Sequence, residues 1–262
     1  MKTQKRKLSI ILLINIFISI LCIYLYQSGI FYKLSPQTVY TDITPAVLSP
    51  VNAEETNFTI YSSGAVLLDS STGKMLYGKN ENQKLYPAST TKLLTAVVAI
   101  ENCNLDREIE VTQAALNKVD VESSIVGLRA GSTYTMEQLL YMLLIVSAGD
   151  AAEVIAEEVA GSSEAFATMM NEKAKQIGMT DSYFDNPVGM DWHSNAKIHS
   201  TAHDIAKLTQ YAMANYEIRK IVRHSFYTVD NFYNGKSITL GSTNGFLRKR
   251  KYADNLFTVI GS

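Results

Sequence analysis

The chain has 262 residues, of which 47% are hydrophobic, and its formal net charge is −1. This length suits one domain of ordinary size or two small ones, and the hydrophobic content is sufficient for a packed core. The balanced charge gives no electrostatic reason to expect a nucleic-acid partner, and the sequence contains no glycine-rich phosphate loop.

The N-terminal residues predict a membrane segment. An uncharged apolar run over 8–26 follows a basic start, which is long enough for a helix to span the ~30 Å hydrocarbon core of a bilayer. The basic flank favours a cytoplasmic N-terminus with the rest of the chain outside. A signal peptide that is cleaved, giving a secreted protein, is the alternative, although residues 27–31 make a poor cleavage site.

A linker and one folded domain are expected to follow. Residues 27–58 mix polar residues and prolines without a sustained hydrophobic period, which is typical of a linker. The domain over 59–262 opens with two apolar runs, 64–69 and 75–78, separated by turn residues, and this pattern predicts a β-hairpin. We therefore expect three regions along the chain, with boundaries after residues 26 and 58.

Helical periodicity and capping residues then predict a series of helices. They lie over 89–100, 113–119, 137–146, 151–160, 164–177 and 202–215, and strand patterns occur over 108–112, 226–229, 238–240 and 256–262. A hairpin, a central group of helices and further strands indicate an α+β fold in which a helical cluster packs on a mainly antiparallel sheet.

Ser89 and Lys92 are the first candidate site residues. They stand three positions apart at the predicted start of a long apolar helix, so both side chains project from one face and can touch. A serine hydroxyl needs a base to become a nucleophile. Burial and the positive end of a helix both favour the neutral lysine that can act as that base. The same pattern also arises by chance from a capping serine and a solvated lysine.

A polar break over 147–150 is the second place where chemistry is expected. It separates a helix that is apolar on almost every side, and so must be buried, from a following alanine-rich helix. No metal or cofactor is predicted, because the histidines lack a metal-ligand spacing. Cys22 and Cys103 are not expected to form a disulfide.

In this order, the motifs resemble those of the serine-type D-alanyl-D-alanine carboxypeptidases, the low-molecular-weight penicillin-binding proteins. The resemblance rests on residues 87–92 (PASTTK), 127–140 (GLRAGSTYTMEQLL), 147–152 (SAGDAA), 178–180 (GMT), 186–189 (NPVG) and 199–202 (HSTA). It covers about 59–262 and implies a β-lactamase/transpeptidase-like fold.

The resemblance also implies a role for each candidate residue. Ser89 would form an acyl-enzyme with the penultimate D-alanine of a peptidoglycan stem peptide, and Lys92 would be its base. Ser147 would hydrogen-bond Lys92 and pass a proton to the leaving D-alanine amine. β-Lactam antibiotics would be covalent inhibitors at Ser89, and the domain would lie outside the cell membrane, held by the N-terminal segment.

Two departures from the family pattern are visible. Gly149 stands where the second motif, Ser-x-Asn, has its asparagine, and loss of one positioned polar contact commonly costs about 10² to 10³ in rate. No Lys-Thr-Gly follows Ser147, although 259–262 resemble the approach to that motif. We therefore expect a sequence truncated before this motif, with the sheet incomplete at its C-terminus.

These departures leave a second interpretation open. A catalytically impaired or inactive homologue would bind peptidoglycan stems or a cell-wall partner without hydrolysis. A class A β-lactamase ranks last, because that class needs a glutamate-bearing loop and the Asn186-Pro187 loop contains no glutamate.

Overall fold

The computed structural model describes residues 59–191 and 197–248. The strands are β1 (Ala65–Leu68), β2 (Met75–Lys79), β3 (Glu108–Glu110), β4 (Thr133–Thr135), β5 (Phe226–Tyr233) and β6 (Lys236–Gly241). The helices are α1 (Thr91–Asn102), α2 (Gln113–Leu116), α3 (Met136–Val146), α4 (Gly149–Ala160), α5 (Ser163–Ile177), α6 (Ala202–Ala214), α7 (Tyr216–Val222) and α8 (Gly245–Arg248). A 3₁₀ turn, Ala88–Thr90, immediately precedes α1.

Some sequence predictions fall outside this part of the chain. The apolar segment 8–26, the linker 27–58 and the strand predicted over 256–262 are not among the described residues. Within 59–191 and 197–248, no helix combines the length and the apolar character needed to cross a bilayer.

The described strands form three antiparallel pairs, β1–β2, β3–β4 and β5–β6. The first pair is the predicted hairpin, and its turn is held by Asp69, whose carboxylate accepts the backbone N–H groups of Ser71 and Thr72. Helices together with small antiparallel sheets confirm the α+β fold class. The predicted single sheet is replaced, over the described residues, by these separate pairs.

Helix α3 occupies the centre of the core. It contacts α1, α4 and α7, and Leu139, Leu140 and Leu143 are almost completely buried. Thr135 and Gln138 form a capping box at its start, as the polar residues before the apolar run predict. The prediction of a helix buried on most sides is confirmed, and this burial fixes the position of the polar break that follows.

Helix α7 was not predicted from the sequence. The side-chain oxygen of Asn215 accepts the backbone N–H groups of Glu217 and Ile218 and so caps this helix. The signal was present, because an asparagine precedes an acidic first turn and a basic last turn. Seven residues carry too little periodicity to be recognised among the neighbouring patterns.

Candidate active site

Ser89 and Lys92 are brought together, although not in the way that the helix prediction implied. Helix α1 begins at Thr91, and Ser89 lies in the 3₁₀ turn before it, which starts at Ala88 with a left-handed φ of 47°. Lys92 Nζ lies 3.0 Å from Ser89 Oγ. In a 3₁₀ turn the side chains at i and i+3 eclipse one another, so the spacing still produces the contact.

The two partners differ in exposure. Ser89 is exposed, because it lies in the turn that precedes the buried helix α1. Lys92 has only 4% of its surface exposed. Burial lowers the pKa of the Lys92 amine from 10.5 to about 8, because the charged form is poorly solvated there. A large fraction of this amine is therefore neutral near pH 8 and able to accept a proton from the hydroxyl.

A loop from a distant part of the sequence braces the lysine. The carbonyl oxygen of Val188 accepts a hydrogen bond from Lys92 Nζ at 3.2 Å, and that of Pro187 accepts one from Thr95 Oγ1 at 2.7 Å. These bonds fix two successive turns of α1 against the loop. They also hold the amine beneath Ser89 instead of leaving it free in solvent.

Asn186 gives this loop its shape. Its side-chain oxygen accepts the backbone N–H groups of Val188, Gly189 and Met190, and its amide nitrogen donates to the Met190 carbonyl at 2.9 Å. One side chain thus satisfies four backbone groups. The loop is thereby a defined support for the Ser-Lys pair.

Gly189 brings the loop against the serine turn. Its φ is +88°, and a Cβ placed on it would lie 1.8 Å from the Ala88 carbonyl oxygen and 2.7 Å from Thr91 Oγ1. No other residue fits this approach without displacing the backbone beside Ser89. The resemblance of residues 186–189 to a family landmark therefore has a physical basis in this chain.

Ser147 lies at the end of α3 in a left-handed conformation, with φ of 62°. Helix α3 packs on α1, the helix that carries Lys92. Between the described residues, Ser147 makes no side-chain hydrogen bond, and the Lys92 amine binds Ser89 and Val188 instead. The structure thus brings together two of the three predicted catalytic side chains, and the role of Ser147 stays a prediction.

Gly149 begins α4, and Asp150 follows it in the first turn. The buried Asp150 carboxylate accepts the backbone N–H groups of Val126, Gly127 and Leu128. A carboxylate is favourable at a helix N-terminus, and these bonds satisfy it after burial. This anchoring role was not predicted from the sequence, in which the only signal was the acidic residue that ends the polar break over 147–150.

A separate groove lies next to the serine turn. It has a volume of about 920 Å³ and runs between β1 and α6, with a mainly apolar lining that includes Val66, Leu85 and Ile205. Pro87 and Thr90 reach its edge. Ser89 and Lys92 are not among the residues that line it, so the groove and the Ser-Lys pair are distinct features.

Comparisons with known proteins identify the family of this chain. Residues 50–258 match the D-alanyl-D-alanine carboxypeptidase family of peptidases. A D-alanyl-D-alanine carboxypeptidase of Streptomyces sp. strain K15 is 32% identical over 202 residues, which cover 72% of this chain and 68% of that protein. The carboxypeptidase DacF of Bacillus subtilis is 31% identical over 161 residues, which cover 61% of this chain and 41% of DacF.

Solved structures give the same result. A mutant of the Streptomyces DD-transpeptidase has a TM-score of 0.70 and 29% identity, covering 78% of this chain and 80% of that one. Penicillin-binding protein 6B of Escherichia coli has a TM-score of 0.65 and 30% identity, covering 74% and 61%. The fold is therefore that of the penicillin-binding DD-peptidases, and the β-lactamase/transpeptidase-like prediction is confirmed.

The chain belongs to the D-alanyl-D-alanine carboxypeptidase family. This confirms the resemblance drawn from the sequence motifs. The matched region spans 41% of DacF and 50% of the carboxypeptidase DacB2 of Mycobacterium tuberculosis, so the chain covers about half or less of the length of these curated relatives.

Proposed function

We propose that the protein is a serine-type D-Ala-D-Ala carboxypeptidase, which removes the terminal D-alanine of peptidoglycan stem peptides. The observation that carries this proposal is the contact of 3.0 Å between the exposed Ser89 hydroxyl and the buried Lys92 amine. Membership of the family supplies the substrate class. The lowered pKa of Lys92 supplies the base that the reaction needs.

Acylation would proceed in two proton movements. The neutral Lys92 amine takes the proton of Ser89 as Oγ attacks the carbonyl carbon of the penultimate D-alanine, which forms a tetrahedral oxyanion. The intermediate then collapses, the C–N bond to the terminal D-alanine breaks, and its nitrogen receives a proton and leaves as the free amine. We assign this second transfer to the Lys92 ammonium through the Ser147 hydroxyl.

Deacylation would return the enzyme to its starting state. A water molecule attacks the ester carbonyl on Ser89, and Lys92 accepts the proton of that water. The ester C–O bond breaks, and the Ser89 oxygen takes the proton back. A β-lactam would follow the same first step, because attack of Ser89 opens its amide ring and leaves a covalent adduct.

The apolar segment 8–26 supports a proposal about location. It would anchor the protein in the cell membrane, with the domain on the extracytoplasmic side where peptidoglycan lies. Secretion after signal cleavage is the alternative. Mass spectrometry of the N-terminal peptide, on protein from the membrane fraction and from the medium, distinguishes the two. An intact N-terminus in the membrane supports the anchor, and a shortened one in the medium supports secretion.

Gly149 favours a second candidate function. Without the asparagine of the second motif, the protein would bind a stem peptide and not hydrolyse it. The test incubates the protein with a diacetyl-Lys-D-Ala-D-Ala tripeptide and measures free D-alanine by an oxidase-coupled assay. Ser89→Ala is the inactive control, and Ser62→Ala, at an exposed serine, is the matched control.

The outcomes separate the candidates. Release of D-alanine by the wild type and Ser62→Ala, but not by Ser89→Ala, supports the carboxypeptidase. Saturable binding of the tripeptide in calorimetry without release of D-alanine contradicts it and supports the binding protein.

A further inference from the structure

Position 149 has no room for a side chain. A Cβ built on Gly149 would lie 2.8 Å from the Cβ and 2.9 Å from the Oγ of Ser123, and 3.4 Å from the carbonyl oxygen of Ser124. Real Cβ atoms do not approach other heavy atoms within 3.0 Å. The space into which a side chain at 149 would grow is therefore occupied by Ser123, from the loop between α2 and β4.

Hydrogen bonds hold the loop in this position. The backbone N–H of Gly149 donates to the Ser124 carbonyl at 2.7 Å, so the loop is bonded at the residue it packs on. The carboxylate of the next residue, Asp150, binds the N–H groups of Gly127 and Leu128 at 2.9 and 3.0 Å. The first turn of α4 is thus tied to the loop residues that follow Ser123.

The Ser123 hydroxyl is buried and has no hydrogen-bond partner among the described residues. A buried hydroxyl without a partner is unfavourable relative to one that is satisfied. Hydrogen bonding therefore does not account for the placement of this side chain. Its side chain instead occupies space beside Gly149, which lies two positions after Ser147.

We propose that Ser123 is a positioning residue of this site, filling the room that the asparagine of a Ser-x-Asn motif would need. By packing on Gly149 it fixes the turn that joins Ser147 to α4. Because this inference rests on the proposed function, it predicts that the rate of acylation at Ser89 depends on the volume at position 123. It also predicts that substitutions at positions 123 and 149 have coupled effects, because the structure has room for a side chain at only one of the two positions.

The test is a double-mutant cycle with Gly149→Asn, Ser123→Gly and the two combined. Two quantities are measured for each variant of the full chain: Tm, and the second-order rate of labelling by a fluorescent penicillin well below Tm. Ser123→Ala keeps the Cβ and removes only the hydroxyl. Val121→Gly, on the same loop with a side chain that is 98% exposed, controls for added glycine flexibility.

We expect Gly149→Asn to lower Tm and to slow labelling at least about tenfold, because the asparagine displaces the anchored loop. Ser123→Gly alone is expected to slow labelling about fivefold or more, whereas Ser123→Ala and Val121→Gly stay within about twofold of the wild type. The double variant is expected to recover Tm and to be labelled at least as fast as the wild type, because contacting residues are not additive.

The inference is overturned if Gly149→Asn is as stable and as reactive as the wild type, or if the double variant recovers nothing. It is also overturned if Ser123→Gly lowers Tm and leaves the labelling rate unchanged, since that is a purely structural role. If the wild type is not labelled at all, the proposed function fails, while the Tm values of the cycle still decide whether residues 123 and 149 compete for one space.

Discussion

Lys92 Nζ and Ser89 Oγ lie 3.0 Å apart, with the amine almost fully buried and the hydroxyl exposed. This arrangement separates the two requirements of a serine nucleophile. Burial keeps the base close to neutrality, and exposure leaves the hydroxyl open to a peptide carbonyl. The carbonyl of Val188 holds the amine from the other side, so its position does not depend on the substrate.

Replacing Lys92 tests the base directly. Lys92→Met keeps much of the apolar stem and removes the amine, and we expect labelling of Ser89 by a fluorescent penicillin to slow by about 10² to 10⁴, the usual contribution of general-base catalysis. Stability is expected to change little, because the cost of burying the amine and its hydrogen bond to the Val188 carbonyl are removed together. Stopped-flow labelling and thermal melts measure the two effects. Undiminished labelling of Lys92→Met would mean that another group accepts the proton.

The rate of labelling is expected to depend on pH. Because burial lowers the pKa of Lys92 to about 8, the neutral amine increases as the pH rises through that value. The rate should therefore rise about tenfold per pH unit well below 8 and level off above it. A profile from pH 6 to 9.5 checks this. A rate that is constant across the range, or that falls with rising pH, contradicts the assignment of Lys92 as base.

Gly189→Ala is expected to be strongly destabilising. The new Cβ would meet the Ala88 carbonyl oxygen at 1.8 Å, so the loop over 186–190 must move away from the serine turn. Gly235→Ala is the matched control, because Gly235 also has a positive φ, of +74°, but nothing within 4 Å of the added atom.

The difference in stability between Gly189→Ala and Gly235→Ala measures the cost of the contact with Ala88. A positive φ alone costs an alanine about 1–2 kcal/mol, whereas we expect Gly189→Ala to lose more than about 3 kcal/mol and most of its labelling rate. Urea unfolding and penicillin labelling measure both effects. Equal losses in the two variants would show that conformation, and not contact with Ala88, decides the effect.

The raised pKa of Glu153 predicts how the free energy of unfolding varies with pH. Burial raises the pKa of this carboxyl from 4.5 to about 7, and the hydrogen bond from Ser163 opposes that shift only in part. The folded state thus holds a proton that the unfolded state has lost. The contribution of this proton to the free energy of unfolding is fully present below pH 4.5 and is lost as the pH rises through 7. The change is on the order of 3 kcal/mol.

Glu153→Gln is therefore expected to flatten the stability profile and to be more stable than the wild type at pH 8. The free energy of unfolding from urea titrations at pH 5, 6, 7 and 8 checks this. Glu158→Gln, on the same helix but less buried, is the control and should follow the wild type. A wild type whose stability rises between pH 5 and 8 relative to Glu153→Gln would contradict the raised pKa.

Local patterns in the sequence were sufficient for much of the fold. The hairpin of β1 and β2, the capping box at Thr135 and the glycine that ends α5 are each determined by a few neighbouring residues, and all three are present. The pairing of Ser89 with Lys92 was predicted from their spacing, although a 3₁₀ turn replaced the expected helical start.

The remainder of the site depends on contacts between distant positions. Lys92 and the Val188 carbonyl are 96 residues apart in sequence, and no local pattern indicates that one supports the other. Likewise, Gly149 reads in sequence as a missing asparagine, whereas the fold places the Ser123 side chain in that space. Which side chain fills such a space depends on how distant segments pack, and a local sequence pattern does not show it.

The most direct test of the proposed nucleophile is the site of the penicillin adduct. Protein incubated with benzylpenicillin is digested, and the adduct is located by tandem mass spectrometry. We predict one penicilloyl group on Ser89, in the peptide that contains residues 86–92, and none in Ser89→Ala. An adduct on another serine, or folded protein that carries no adduct after long incubation, would contradict the assignment of Ser89 as the nucleophile.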